Sequence, residues 1–401
     1  MQTIKSNHFI RRTLTVAISY SLLLSLSNSV LAREAPQYTH DTEVIAPAPI
    51  HQPKIQLAIL LDTSGSMDGL IDQTRNQIWQ VVNEFSTAKQ NGLTPILEVA
   101  LFEYGNDGNS ASDGYVRQLS SFTRELDKVS EGLFSLTTNG GEEYCGYAIK
   151  TAVNDLQWSS SDNNIKTIFI AGNEPFTQGP VNYQRAIELA KKHGISVNTI
   201  HAGDHQEGIN SGWQSAAVLT GGNYMSIDSN IQVVHIDAPQ DQEIAALNIK
   251  LNETYIAYGS EGEKSKSRQQ EQDKNSSTIS AGLLAKRAAS KISSFYNNKS
   301  WDLVDAMEEG EVDEAALADM DQASLPEPMK TMTDQQKKDY VDAKATERKT
   351  IKQQISQLSK SRESYVAEKQ REQVAAAPSM SDALTGAIRK QAEQKHFVFE
   401  K

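Results

Sequence analysis

Cysteine is nearly missing from this 401-residue chain: Cys145 stands alone, so no intrachain disulfide can form. A basic excess is missing too. Lys and Arg number 39 against 51 Asp and Glu, a net charge of −12, so counterion release from a phosphate backbone has nothing to drive it and nucleic acid is not an expected partner. Hydrophobic residues make up only 38% and the mean hydropathy is −0.50, which is low for one compact globule and suits one good core plus polar helical material. No G-x-x-x-x-G-K-[ST] phosphate loop occurs. No G-x-S-x-G elbow or evident triad order occurs either, which argues against a hydrolase. No internal repeat is found.

Long apolar runs are equally scarce. The one candidate, Leu14 to Leu26, follows Lys5, Arg11 and Arg12 and leads to Val30-Leu31-Ala32, a secretory signal pattern with cleavage expected near Arg33. Its apolar core is too short for a comfortable membrane span. The expectation is an exported chain, periplasmic or extracellular, with no stable membrane span after cleavage. Residues 33–53 hold four prolines and read as a linker.

What is present begins at Ile55-Gln-Leu-Ala-Ile-Leu-Leu61, followed at once by Asp62-Thr-Ser64-Gly-Ser66. A largely apolar run bounded by a polar, Gly-containing turn reads as a buried strand of a parallel sheet. Its carboxyl end, where open α/β sheets place their ligands, holds a carboxylate and two hydroxyls at alternate positions. Such oxygen donors suit Mg²⁺, Mn²⁺ or Ca²⁺ rather than a soft metal. The same residues would also serve as an ordinary β-to-α turn, with Ser66 or Asp68 capping the next helix.

The stretch LAILLDTSGSM resembles the first strand and metal-ion-dependent adhesion site of the von Willebrand factor type A domains. The resemblance implies a doubly wound, mainly parallel α/β sheet, Rossmann-like, that usually binds protein ligands through a divalent cation.

The order of later elements agrees. A helix is expected from Leu70 to Lys89 and ended by Asn91-Gly92. Strands follow at Ile96–Tyr104 and Tyr115–Leu119, then a helix from Thr123 to Phe134 and a loop running into a helix that reaches Trp158. Strands at Lys166–Ala171, Ser196–Ala202 and Asn223–Ile227 alternate with helices at Tyr183–His193 and Trp213–Leu219. A helix over 241–258 closes the domain, placed at 54–258. Residues 259–278 are almost wholly polar and read as a flexible linker. The remainder, 279–401, is expected to be helical, partly coiled coil or disordered. Its longest helix, from Thr333 to about Val374, carries only the sparse stripe Val341, Ile351, Ile355, Leu358 and Tyr365. Two readings of it stand side by side: a self-associating coiled coil, or a solvated helix lying on the preceding domain. Cys145 is expected buried at a helix start.

In the family a first loop supplies Asp and two Ser, a second a Thr and a third an Asp. Asp62, Ser64 and Ser66 match the first loop. The resemblance implies Glu142, beside Gly140-Gly141, in place of the Thr, and Asn173 or Glu174 in the third loop. The expected cofactor is one divalent cation, Mg²⁺ first and Mn²⁺ or Ca²⁺ as alternatives. His201 and His205 are separated by a Gly-Asp turn and do not make a helical zinc pair. The expected function is a non-enzymatic, exported protein-binding module. Its alternatives are a structural cell-envelope protein that binds through its helical tail and, further off, an accessory subunit of an enzyme complex.

Overall fold

Six strands form the central sheet of the computed structural model, in the order β4-β3-β1-β5-β6-β7. They are β1 (Lys54–Asp62), β3 (Ile96–Tyr104), β4 (Arg117–Thr123), β5 (Ile165–Gly172), β6 (Ser196–Ala202) and β7 (Tyr224–Ile227). All neighbours are parallel except β3 and β4. The structure describes residues 52–228, 236–372 and 380–399. These belong to one unit, His51–Lys401. The expected signal peptide and nearly all of the linker after it lie outside the described residues.

β1 sits in the middle because its side chains are apolar on both faces. Leu57, Ile59 and Leu61 enter one core, and Ala58 and Leu60 enter the other. The first core is covered by α1 (Asp68–Phe85), α2 (Leu126–Ser135) and α7 (Asp241–Glu253), the second by α3 (Cys145–Asp155), α4 (Tyr183–Lys192) and α6 (Trp213–Leu219). The short α5 (His205–Asn210) links β6 to α6. This is the doubly wound α/β fold expected. The strand order reverses at β1, whose neighbours are β3 and β5, so the carboxyl ends of these strands open onto a topological switch point.

Several local expectations change. The first helix ends at Phe85, and Lys89 instead lies in a short strand, β2 (Ala88–Gln90). Asn91 and Gly92 have φ of 52° and 78°, and Gln90 and Leu93 exchange backbone hydrogen bonds across them. That is a hairpin-type turn, not a helix cap. β2 pairs with β8 (Phe397–Phe399) from the far end of the chain, a contact no local pattern reveals. The helix expected over 241–258 stops at Glu253, and Ala257 then bridges Asp302.

The polar stretch read as a flexible linker is an ordered helix, α8 (Gly262–Ile279). It lacks an apolar stripe, yet Gln269, Gln272, Asp273 and Ser276 are buried. Polar burial of this kind survives where the groups find partners, as Gln272 does in accepting from Ser130 Oγ at 2.8 Å. Asp273 pairs with Arg287 (2.6 Å) and Lys291 (3.0 Å) of α9 (Ala281–Lys291), and Gln269 donates to Tyr296 Oη. Arg287 also pairs with Asp127 of α2 at 2.7 Å and lies over Trp79. The chain leaves helix between Ile292 and Asp302 before the short α10 (Leu303–Glu308) and α11 (Glu314–Ala318).

The long helix α12 (Asp334–Glu372) does not present a free seam. Val341, Ile351 and Ile355 are buried, and the helix packs on α7, α9, α10 and α11. Arg348, buried within it, reaches Asp302 and Asp305 at 2.7 Å each and stacks on Tyr255 at 4.0 Å. The last helix, α13 (Met380–Gln394), packs on α1.

Candidate functional site

β1 delivers Asp62 to the switch point, fully buried. The Ser64 amide donates to Asp62 Oδ1 at 2.8 Å, a turn in which Asp replaces a backbone acceptor. Backbone bonds tie this first loop to its neighbours: Thr63 N to Tyr104 O (2.9 Å), Gly65 N to Gly140 O (3.0 Å) and Asn139 N to Thr63 O (3.0 Å). Two glycines let the carboxylate sit so deep. A Cβ at Gly105, where φ is +80°, would fall 2.8 Å from Glu143 Cγ and 2.9 Å from Asp62 Oδ1. One at Gly172 would fall 2.4 Å from Tyr104 Oη and 2.9 Å from Asp62 Oδ2. Beneath, Tyr104 Oη donates to Ala171 O (2.9 Å) and receives Cys145 Sγ at 3.6 Å, so the lone cysteine is part of the floor. Burial pushes its thiol well above the usual range, which leaves it an inert group.

The acidic residue of the second loop that meets Asp62 is Glu143, not the expected Glu142. Glu142 is exposed and accepts from Tyr144 Oη at 2.7 Å, whereas Glu143 is only 4% exposed. The strand-like entry to α3 explains the difference. Tyr144 is not helical (φ −86°, ψ 75°), so the residue sharing the inward side with Cys145 lies two positions back. The register of that alternation depends on where α3 begins, which the sequence left open.

Burial pushes Asp62 up to about 7, although Ser64 and the Asn173 amide favour its charged form. Burial also lifts Glu143 to about 8, and the charge of Asp62 adds to this. Ser64 Oγ lies near enough to lower both, yet it makes no hydrogen bond of normal geometry. Four buried oxygens are left without a hydrogen-bond partner: Asp62 Oδ2, Ser64 Oγ, Glu143 Oε2 and Asn173 Oδ1. They come from all three loops. Ser66 is exposed and takes a hydrogen bond from Asn173 Nδ2 at 3.2 Å. Glu174 is half-buried; its backbone oxygen is used by Trp213 Nε1, and its charge is felt at Glu143. Neither Ser66 nor Asp68 caps α1, whose N-cap is Met67 with no side-chain bond.

The donor set is oxygen only, with two carboxylates, a hydroxyl and an amide carbonyl, and it fits a hard divalent cation. Among the described residues no group of three or more His, Cys, Asp or Glu side chains converges on one point, so the neutral donors matter. His201 is buried on β6 while His205 starts α5 and meets Ser226 Oγ at 3.1 Å.

Residues 56–209 match the family model of the von Willebrand factor type A domain. The chain carries a von Willebrand factor type A domain. The match spans β1 through most of α5, and so includes all three loops. Solved structures similar to this chain include proximal thread matrix protein 1 from the mussel byssus, at 11% identity over 44% of this chain and 42% of that one, with a TM-score of 0.33. A von Willebrand factor type A protein from Catenulispora acidiphila is similar at 15% identity, over 44% and 39% of the two chains, with a TM-score of 0.32. The pilus adhesin SpaC from Lactobacillus rhamnosus GG is similar at 13%, over 44% and 28%, with a TM-score of 0.34. The chain spans about two fifths of the length of the first two. No curated protein matches it significantly.

Proposed function

We propose that the von Willebrand factor type A domain presents a divalent-cation-dependent protein-binding face, and that the chain is a non-enzymatic interaction protein acting after export. The observation that carries this is the set of four buried, unpartnered oxygens. Two like charges this deep repel each other and are costly unless a cation or a proton is shared between them. Asp62, Ser64, Glu143 and Asn173 would hold the ion, with Ser66 at the exposed edge. A bound divalent cation supplies positive charge that lets both carboxylates ionise and draws the three loops together. Mg²⁺ is the first choice, with Mn²⁺ and Ca²⁺ as alternatives.

The reading in which the helical tail does the binding has less support, because the apolar stripe of α12 is occupied within the chain. We assign the domain itself to residues 54–258, with the helices from 262 onward as a brace on its α1, α2 and α7 side. Export rests on the N-terminal pattern. The described residues contain no helix long and apolar enough to cross a membrane.

Calorimetric titration of Mg²⁺, Mn²⁺ and Ca²⁺ into wild type, Asp62→Asn and Glu143→Gln tests the site. Heat from wild type that is lost in both variants is the expected result. Absence of heat from wild type with all three ions, or full binding by Glu143→Gln, would defeat the assignment.

A further inference from the structure

The mouth of this site carries more negative charge than its two buried carboxylates. Asp68, exposed in the first turn of α1, accepts from Thr138 Oγ1 at 2.7 Å, which ties it to the second loop. Asp107 is exposed on the loop after β3. Its amide donates to Asn139 O at 3.3 Å, and its carboxylate lies against Gly140, where a Cβ would come within 2.4 Å of Oδ1. Glu142 is exposed beside Glu143, its backbone bridged to Gly105. Glu174 stands half-buried on the third loop. No ion pair among the described residues joins any of these four to a basic side chain. Below them lie the unpartnered Asp62 Oδ2, Ser64 Oγ and Glu143 Oε2.

The charge balance decides what this face attracts. Ionised Asp62 and Glu143 neutralise a divalent cation, so the loaded centre keeps no net positive charge to draw in a partner's carboxylate. The four rim carboxylates then repel one, since like charges within a Debye length of about 8 Å are not screened from each other. We infer that the face takes a basic segment, bearing Lys or Arg, of a partner polypeptide, with the cation ordering the loops that present the carboxylates. This rests on the proposed cation site for the order of the loops, but the rim charge is present with or without the ion. The positive guanidinium or ammonium groups would complete ion pairs that the rim now lacks, and the association would weaken with salt.

Fluorescence anisotropy of a labelled Lys/Arg-rich peptide and an acidic peptide of equal length, titrated against the full chain in Mg²⁺ and in EDTA, tests this. The variant Asp107→Asn/Glu142→Gln/Glu174→Gln removes three rim charges and leaves the buried donors alone. Asp155→Asn/Glu188→Gln/Glu253→Gln removes three exposed charges elsewhere on the domain. Basic-peptide binding should fall about tenfold in the rim variant, roughly twofold per exposed ion pair, and less than twofold in the control. Binding of the acidic peptide in Mg²⁺, equal losses in both variants, or no basic-peptide binding at low salt would each overturn the inference. Cation calorimetry on the same preparation keeps the two readings apart. Basic-peptide binding without cation heat retains this inference and removes the cation site; cation heat with acidic-peptide binding does the reverse.

Discussion

Replacing Arg287 by methionine should destabilise the whole unit, although the residue lies in a stretch that follows a polar run of sequence. Its guanidinium is fully buried, with Asp127 Oδ1 at 2.7 Å, Asp273 Oδ1 at 2.6 Å and the Trp79 ring at 4.7 Å. Methionine fills most of the space but takes a cation away from two buried carboxylates. Lys291 remains for Asp273, whereas Asp127 keeps only the hydroxyl of Tyr296, at 2.5 Å. Breaking a buried pair from one side costs about 3–5 kcal/mol, a large part of the 5–15 kcal/mol that holds a typical domain together. The expected loss is about 4 kcal/mol, read from urea unfolding followed by tryptophan fluorescence and far-ultraviolet circular dichroism. The two probes should move together, because α2, α8 and α9 share the broken network. Adding Asp127→Asn removes the stranded charge and should recover about 2 kcal/mol. A loss below about 1 kcal/mol would refute the reasoning and return residues 259–278 to the status of a linker.

Acid should act on the same cluster. Burial by itself would raise Asp273, but Lys291 and Arg287 outweigh it and hold the carboxyl well below the usual range. A folded value below the unfolded one means stability that is complete above about pH 4 and lost as pH falls further, so Asp273→Asn should be less stable at pH 6 and less sensitive to acid below pH 4. Asp62 runs the other way in cation-free protein. Its rise from 3.8 to about 7 means that the folded state holds the proton longer, so stability falls as pH climbs from about 4 to about 7. Urea midpoints in EDTA should show wild type losing about 2–3 kcal/mol relative to Asp62→Asn between pH 5 and pH 8; parallel curves would count against a buried, charged Asp62. Gly105→Ala places a methyl against both Glu143 and Asp62 at positive φ and should cost about 1–3 kcal/mol while weakening cation binding in calorimetry. Arg348→Ala leaves Asp302 and Asp305 facing each other and should cost about 3–5 kcal/mol by urea unfolding, with a smaller loss when Asp302→Asn is added.

The central sheet was legible because its signal is local. Apolar runs such as Ile55–Leu61 and Lys166–Ala171 have no polar face to expose, and only a sheet covered on both sides can bury them. The first loop was legible for the same reason, since Asp62, Ser64 and Ser66 follow β1 without a gap. Glu143 was harder to see. Two adjacent glutamates differ only in which side of an extended segment they occupy, and the register of that segment is set by where α3 begins. The third loop offers both Asn173 and Glu174, and here the choice came from tertiary contact: Trp213 takes the Glu174 carbonyl and Ser66 takes the Asn173 amide.

By itself, then, the amino-acid order determined the strand-and-helix alternation and the oxygen-rich turn after β1, because periodicity and composition over a few residues suffice for these. Only the tertiary structure decided that α8 is helix rather than linker, that Asn91-Gly92 turns a hairpin closed by the far end of the chain, and that Glu143 faces Asp62. Each of those depends on a partner many residues away, such as Arg287 for Asp273 or Phe397 for Gln90. Polar residues carry no periodic mark of burial until the opposite charge that permits it has been brought beside them.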